Sequence, residues 1–111
     1  MLERRLFILQ RLTALLLAPL VLVHLGMILY AVRGGLTAGE ILGRTQGSAL
    51  WIGFYGLFVV VVAVHAPIGV RHVLIEWGKL SRPTAGWIAL AFAVVLLLMG
   101  LRAVAAVGFT R

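Results

Sequence analysis

Residues 61–77, VVAVHAPIGVRHVLIEW, decide the fold class of this chain, because they place ionisable side chains inside a segment apolar enough to cross a bilayer. On a helix that turns by about 100° per residue, four of these positions fall on one stripe along one side. The four positions are His65, Gly69, His72 and Glu76. Ionisable groups within a membrane rarely face lipid, so we expect this stripe to face protein or a cofactor.

The composition of the whole chain is that of a membrane protein. Of its 111 residues, 63% are hydrophobic and 12% are charged, and the mean hydropathy is +1.14. Soluble domains have about 45–50% apolar and about 25% charged residues, so both values differ in the direction of a membrane protein. The chain has no Cys, which excludes disulfides and thiolate-bound metals. The net charge of +7 indicates lipid headgroups and topology rather than nucleic acid, because the Lys and Arg residues lie mostly at the ends of apolar runs.

Three apolar runs predict an all-α membrane protein with three transmembrane helices in an up-down-up arrangement. The predicted helices cover residues 6–32, 49–77 and 85–108, and residues 1–111 are expected to form a single membrane domain. The first run is longer than the apolar core of a secretory signal, which is roughly 7–15 residues, so it predicts a retained helix.

Two connections link the predicted helices. In the first, Thr37 and Glu40 have the spacing of a capping box, which predicts a short helix within residues 36–46 at the membrane surface. In the second, residues 78–84 include Pro83, which predicts a polar turn that ends helical structure.

The distribution of positive charge predicts that the N-terminus lies in the cytoplasm or its equivalent. With three spans, the N-terminal segment and the second connection share one side of the membrane. The basic residues on or near that side are Arg4, Arg5, Arg11, Arg71, Lys79 and Arg82, and those toward the other side are Arg33, Arg44, Arg102 and Arg111. The expected location is a bacterial inner membrane or an equivalent membrane.

His65 is expected near the middle of the membrane, since it lies about 18 Å along the helix axis from Trp77. Axial ligation of a haem iron is one role for such an imidazole, and Gly69 would let a flat macrocycle approach the backbone. The alternative is a hydrogen bond to a carbonyl of a neighbouring helix, or to the Ala63 carbonyl that Pro67 frees. The spacing alone leaves both interpretations open.

The other polar positions also allow two interpretations each. His72 is either a partner for haem propionates or an interfacial residue without a role. Glu76 and Trp77 could together bind a quinone headgroup. Alternatively, Trp77 is only an anchor at the membrane boundary. His24 is either the ligand of a second haem or a residue hydrogen-bonded within the bundle. We favour the hydrogen bond, because no polar stripe accompanies His24.

Two passages together resemble a known family. Residues 7–14, FILQRLTA, are similar to an opening pattern of Arg with a small or hydroxyl residue at the start of helix one. Residues 65–72, HAPIGVRH, followed by Glu76 and Trp77, are similar to a helix-two pattern of His, Gly, a second His, and an acid before an aromatic. The chain therefore resembles the membrane-anchor cytochrome b subunits of the succinate dehydrogenase and fumarate reductase family, the complex II group.

The resemblance implies roles at a haem. It makes His65 the axial ligand of haem b, which would lie between this chain and a second anchor subunit that supplies the other His. His72 matches a residue near the haem propionates, and Arg11 matches a residue that borders both the haem and the quinone.

The resemblance also implies a quinone region near Glu76 and Trp77, which match an acid and an aromatic beside the quinone. Two positions depart from the family's pattern. Phe7 and Trp77 stand where the family often has Ser and Tyr, so the hydroxyl that would hydrogen-bond a quinone oxygen is unidentified.

The implied function is that of an anchor, which does not perform the dicarboxylate chemistry. The chain would hold a flavoprotein subunit and an iron–sulfur subunit at the membrane and pass electrons between the iron–sulfur subunit and quinone. The absence of a Walker loop, of paired carboxylates within one helix and of a Ser/His/Asp arrangement argues against a hydrolytic enzyme. Two alternatives stay open: a small oligomeric transporter or channel, and an assembly subunit without a cofactor.

Overall fold

The computed structural model describes residues 2–109, which form four helices in chain order. They are α1 (Leu2–Gly34), α2 (Ala38–Thr45), α3 (Ala49–Glu76) and α4 (Arg82–Gly108). Helices α1, α3 and α4 are long and apolar enough to cross a membrane, and residues 2–109 contain no strand. The prediction of an all-α membrane protein with three spans is therefore confirmed. Arg111, which entered the charge comparison, lies outside the described residues.

Two helices begin earlier than the sequence predicts. Helix α1 begins at Leu2 rather than near residue 6, and α4 begins at Arg82, inside the segment predicted as a turn. Ser81 caps α4 by accepting a hydrogen bond from the Thr84 amide at 3.3 Å, and Pro83 occupies the first turn. A proline is well tolerated there, because the first turn has no use for its missing N–H. Pro83 therefore starts α4 instead of blocking a helix.

Helix α3 is the central helix, because it packs along both α1 and α4. It approaches α4 closely at two glycines of α4, where Gly100 lies beside Val59 and Gly108 beside Ile52. Small residues let membrane helices approach closely and gain van der Waals contact. Only 11% of the most apolar stretch of each span is buried inside the chain. The remaining apolar surface is available to lipid and to other subunits.

We expect Gly100→Ala to destabilise the chain by about 1–3 kcal/mol, the usual cost of overpacking. A Cβ at this position would lie 2.5 Å from Cγ1 and 2.9 Å from Cγ2 of Val59. Val59 cannot easily turn away, because a β-branched side chain on a helix has one strongly preferred rotamer. Thermal unfolding of the purified chain in detergent measures this effect.

Gly53→Ala is the matched control for Gly100→Ala, because a Cβ at Gly53 meets no described atom within 4 Å. Alanine favours a helix over glycine by about 1 kcal/mol, so this control should be neutral or stabilising. Equal unfolding temperatures for the two variants would contradict a close contact between α3 and α4 at Gly100.

Helix α2 connects α1 to α3 and packs against α4. The predicted capping box is confirmed: the Thr37 hydroxyl accepts a hydrogen bond from the Glu40 amide at 3.2 Å, and the Glu40 carboxylate accepts one from the Thr37 amide at 3.4 Å. At the other end of α2, the Thr45 hydroxyl lies 2.7 Å from the Val107 carbonyl oxygen. That bond ties α2 to the last turn of α4.

The capping box should make the stability of α2 depend on pH. Hydrogen bonds from the side chain and then the backbone of Thr37, with a smaller contribution from the Arg44 charge, lower the pKa of the Glu40 carboxyl. A carboxyl with a lowered folded-state pKa stabilises the fold above its unfolded pKa of about 4.3. That stabilisation is lost as the pH falls through the folded-state pKa.

Amide hydrogen exchange within α2 checks this dependence in the wild type and in Glu40→Gln. Protection should be higher in the wild type at neutral pH, and the two proteins should become equal in acid, because the wild-type carboxyl is then also uncharged. A difference that stays the same at every pH would contradict the role of the Glu40 charge.

Candidate functional site

The centre of the candidate site is a hydrogen bond between α3 and α1. Nδ1 of His65 lies 3.0 Å from Oγ1 of Thr13. Thr13 is only 5% exposed, and His65 is half-buried. Polar groups inside a membrane-spanning segment need a protein partner, since lipid offers none. The bond therefore gives each side chain a partner and fixes the His65 ring against α1.

The backbone around Thr13 decides which atom donates in this bond. The Thr13 hydroxyl oxygen lies 2.8 Å from the Leu9 carbonyl oxygen and 3.0 Å from the Gln10 carbonyl oxygen. Carbonyl oxygens only accept, and a Thr hydroxyl on a helix often donates to one of them. The single hydroxyl proton is then used, so the proton of the remaining bond belongs to Nδ1 of His65. In the neutral imidazole, this arrangement places the lone pair on Nε2, where it can bind a metal ion.

Gly69 lies one turn from His65 on the same stripe, and packing within this chain does not explain its missing side chain. A Cβ built at Gly69 would meet only Nε2 of Gln10 among the described atoms, at an ordinary contact distance of 3.5 Å. Alanine would therefore fit, and it would favour the helix by about 1 kcal/mol. Gly69 therefore lies beside Gln10 of α1, and its missing side chain leaves room for a flat ligand.

Gln10 is a second polar residue of α1 beside the site. Its Oε1 is buried and has no hydrogen-bond partner among residues 2–109. Gln10 and Thr13 are three residues apart, so they share the face of α1 that meets α3. This spacing is the sequence signal for a polar face, but the sequence does not reveal that His65 lies across from it. Both residues were therefore missed as site residues from the sequence alone.

The rest of the predicted stripe runs to the end of α3. His72 is half-buried, and Glu76 and Trp77 are exposed, with 80% of Trp77 accessible. His72 and Glu76 follow His65 on this stripe, and Trp77 caps α3; these positions become progressively less enclosed by the chain. They are therefore open to a ligand, to lipid or to another subunit.

Arg11 is not brought together with His65 within this chain. It lies two residues before Thr13, which places it about 200° around α1 from the face that meets α3. The side chain is exposed, and its guanidinium carbon lies 5.1 Å from the centre of the Phe7 ring. Any contact of Arg11 with a ligand would therefore form on the outer side of α1.

His24 lies in a separate cavity of about 590 Å³ that is lined by residues of all four helices. Its ring packs edge-on against Tyr55 and Phe58, with ring centres 5.9 Å and 5.1 Å away. Nδ1 of His24 is buried without a hydrogen-bond partner in the described part of the chain, so the hydrogen bond favoured for His24 is not formed at that atom. Residues 2–109 hold no group of three or more His, Asp or Glu side chains suited to a metal ion. A haem iron needs only axial ligands from protein, so each His is considered singly.

Comparison with known proteins identifies the family of the chain. A family model described as the succinate dehydrogenase/fumarate reductase transmembrane subunit matches residues 2–101. The chain belongs to this family. The match covers α1, α2, α3 and most of α4, and it confirms the resemblance seen in residues 7–14 and 65–77. No curated protein and no solved structure gives a significant match.

As a transmembrane subunit of complex II, the chain is a multi-pass membrane protein that works with other subunits of that complex in a lipid bilayer. This membership favours the anchor interpretation over a transporter or channel.

An ion-pair cluster of three residues holds the helices of this complex II subunit together at the end where the N-terminus lies. Arg71, which is 6% exposed, donates to both carboxylate oxygens of Glu3, at 2.8 Å and 2.9 Å. Arg82 also donates to the Glu3 carboxylate. Glu3 therefore links α1 to both α3 and α4. Arg71 and Arg82, which the sequence presents only as part of the basic side, are thus paired with an acid.

Proposed function

We propose that this subunit anchors a succinate:quinone oxidoreductase or a quinol:fumarate reductase and binds haem b between itself and a second anchor subunit. His65 is the axial ligand from this chain and binds the iron through Nε2. The observation that carries the proposal is the hydrogen bond between Thr13 and His65, because it leaves the Nε2 lone pair available in a membrane-spanning helix.

Three residues support a haem at this position. A metal-binding His typically donates its other ring N–H to an oxygen, as Nδ1 of His65 does to Thr13. Gly69, one turn away, has no side chain, and a Cβ there would meet only Nε2 of Gln10 of this chain, at 3.5 Å. His72 lies two turns toward the membrane boundary, where its imidazole can donate a hydrogen bond to a haem propionate.

Haem b, when bound, supplies one-electron transfer. The residues of this chain bind and orient it and control its surroundings. Val61, Ala63 and Ile68 are buried apolar residues near His65 in α3, so the surroundings of His65 along that helix are apolar. A second His from the other anchor subunit would leave no open position on the iron, which suits electron transfer rather than oxygen chemistry.

The proposed quinone region lies on the side of the membrane that contains the N-terminus. Arg11, Glu76 and Trp77 are exposed near that side. The Arg11 guanidinium can stabilise negative charge that develops on a quinone oxygen during reduction. The Trp77 indole N–H can donate a hydrogen bond, and the Glu76 carboxylate can exchange protons with water.

The same side is the proposed docking surface for the iron–sulfur subunit, with the flavoprotein subunit bound beyond it. Its exposed basic residues are Arg4, Arg5 and Lys79. Their positive charge also supports an N-terminus in the cytoplasm, with the complex in a bacterial inner membrane or its equivalent.

A reduced-minus-oxidised absorption spectrum of the purified complex tests the proposal. We expect a reducible b-type haem, quantified by extraction and compared with the flavin of the flavoprotein subunit. A complex that assembles with its full flavin content but contains no haem would overturn the haem-binding role. That result would support the alternative of a cofactor-free assembly subunit.

A further inference from the structure

We infer that Thr13 sets the reduction potential of the haem by acting through His65. The inference rests on the proposed function, because it requires Nε2 of His65 to bind the haem iron. Thr13 touches neither the iron nor a substrate in this account, so it is a positioning residue.

The Thr13 hydroxyl is a fixed acceptor for the His65 ring. It is 5% exposed, and its oxygen lies within 3.0 Å of two backbone carbonyl oxygens of its own helix. Carbonyl oxygens only accept, so the hydroxyl proton of Thr13 is well placed on one of them. The Thr13 oxygen then accepts the proton on Nδ1 of His65, which favours the ring form with its lone pair on Nε2.

This hydrogen bond should lower the reduction potential of a bound haem. Donation from Nδ1 to Thr13 increases electron density at Nε2, which makes the imidazole a more basic ligand. A more basic ligand stabilises ferric iron more than ferrous iron. Loss of the bond should therefore raise the potential.

Thr13→Val is the decisive variant, because valine has nearly the shape of threonine but no hydroxyl. Loss of an outer-shell partner typically changes metal affinity by about 10–100-fold. If the affinity for ferric haem falls tenfold and the affinity for ferrous haem is unchanged, the midpoint potential rises by about 59 mV. Thr13→Ser keeps the hydroxyl and should keep the wild-type potential. Redox titration of the haem absorbance in the purified complex measures all of these values.

Thr45→Val is the matched control within the same chain. Thr45 is 6% exposed, and its hydroxyl lies 3.1 Å from the Ile41 carbonyl oxygen and 2.7 Å from the Val107 carbonyl oxygen, but it has no His partner. This variant removes an equally buried hydroxyl of the same kind. It should leave the haem potential unchanged, which separates the effect on His65 from a general effect on packing.

The protonation of His65 can be measured without haem. In the full wild-type chain prepared without haem and labelled with ¹⁵N-histidine, the nitrogen chemical shifts of His65 should show a protonated Nδ1 and an unprotonated Nε2. In Thr13→Val this preference should be lost. A proton on Nε2 in the wild type would overturn the inference, even if the valine variant failed to assemble.

The outcomes distinguish this inference from the proposed function. Haem in the wild type with equal potentials in wild type and Thr13→Val would overturn the role of Thr13 but leave His65 as the ligand. Equal changes of the haem midpoint potential in Thr13→Val and Thr45→Val would also overturn the role of Thr13. The absence of haem from the assembled wild-type complex would instead overturn the proposed function itself.

Discussion

His65→Ala is expected to remove nearly all haem from the purified complex. The axial bond to Nε2 is the only bond to iron that this chain is proposed to make, and alanine offers no replacement. The fold should survive, because the Thr13 hydroxyl still has the Leu9 carbonyl oxygen 2.8 Å away as an acceptor. The loss of haem would then report the loss of the ligand rather than unfolding. The ratio of extracted haem to flavin measures the effect.

His24→Ala is the matched control for His65→Ala. Both side chains are half-buried imidazoles in membrane-spanning helices, but His24 lies in the separate cavity beside Tyr55 and Phe58. We expect His24→Ala to retain the wild-type haem content. Loss of haem in His24→Ala with retention in His65→Ala would show that the ligand is assigned to the wrong residue. A halved content in each variant would indicate two haems, one at each His.

The sequence predicts the spans and the capping box because both depend on neighbours in the chain. The apolar runs extend over whole helices, and Thr37 and Glu40 are three residues apart. The stripe that contains His65 and Gly69 also follows from local periodicity alone. The residues that the stripe faces do not follow from periodicity, because they depend on how one helix crosses another.

The residues that contact the stripe could not be predicted from the sequence. Thr13 and His65 are separated by 52 residues, and their contact depends on the vertical position of α1 against α3. Helical periodicity identifies a face of each helix but gives no measure of this offset. The pairing of Glu3 with Arg71 across 68 residues was missed for the same reason. Since Glu3 and Thr13 are both on α1, the two contacts fix the position of α1 along α3 at two points.

Glu3→Ala is expected to destabilise the chain by about 2–3 kcal/mol. Removal of one partner from a buried ion pair typically costs about 3–5 kcal/mol, because the other charge stays buried without compensation. Here that charge is Arg71, whose side chain is 7% exposed, whereas the Glu3 side chain is 42% exposed. Solvent near Glu3 weakens the pair, so we place the cost below the full range. Unfolding of the purified chain in detergent measures it.

Arg71→Met should be much less damaging than Glu3→Ala, at under about 1 kcal/mol, although it also breaks both bonds between Arg71 and Glu3. Methionine fills the buried site without a charge, and the partly exposed Glu3 keeps Arg82 as a partner. The double variant should therefore be more stable than Glu3→Ala alone, since it removes the buried Arg71 charge that has lost its partner. If Arg71→Met proved as destabilising as Glu3→Ala, burial of the Arg71 charge would not be the cause. If the prediction holds, Glu3 neutralises a buried charge and so keeps α1 at the height where Thr13 meets His65.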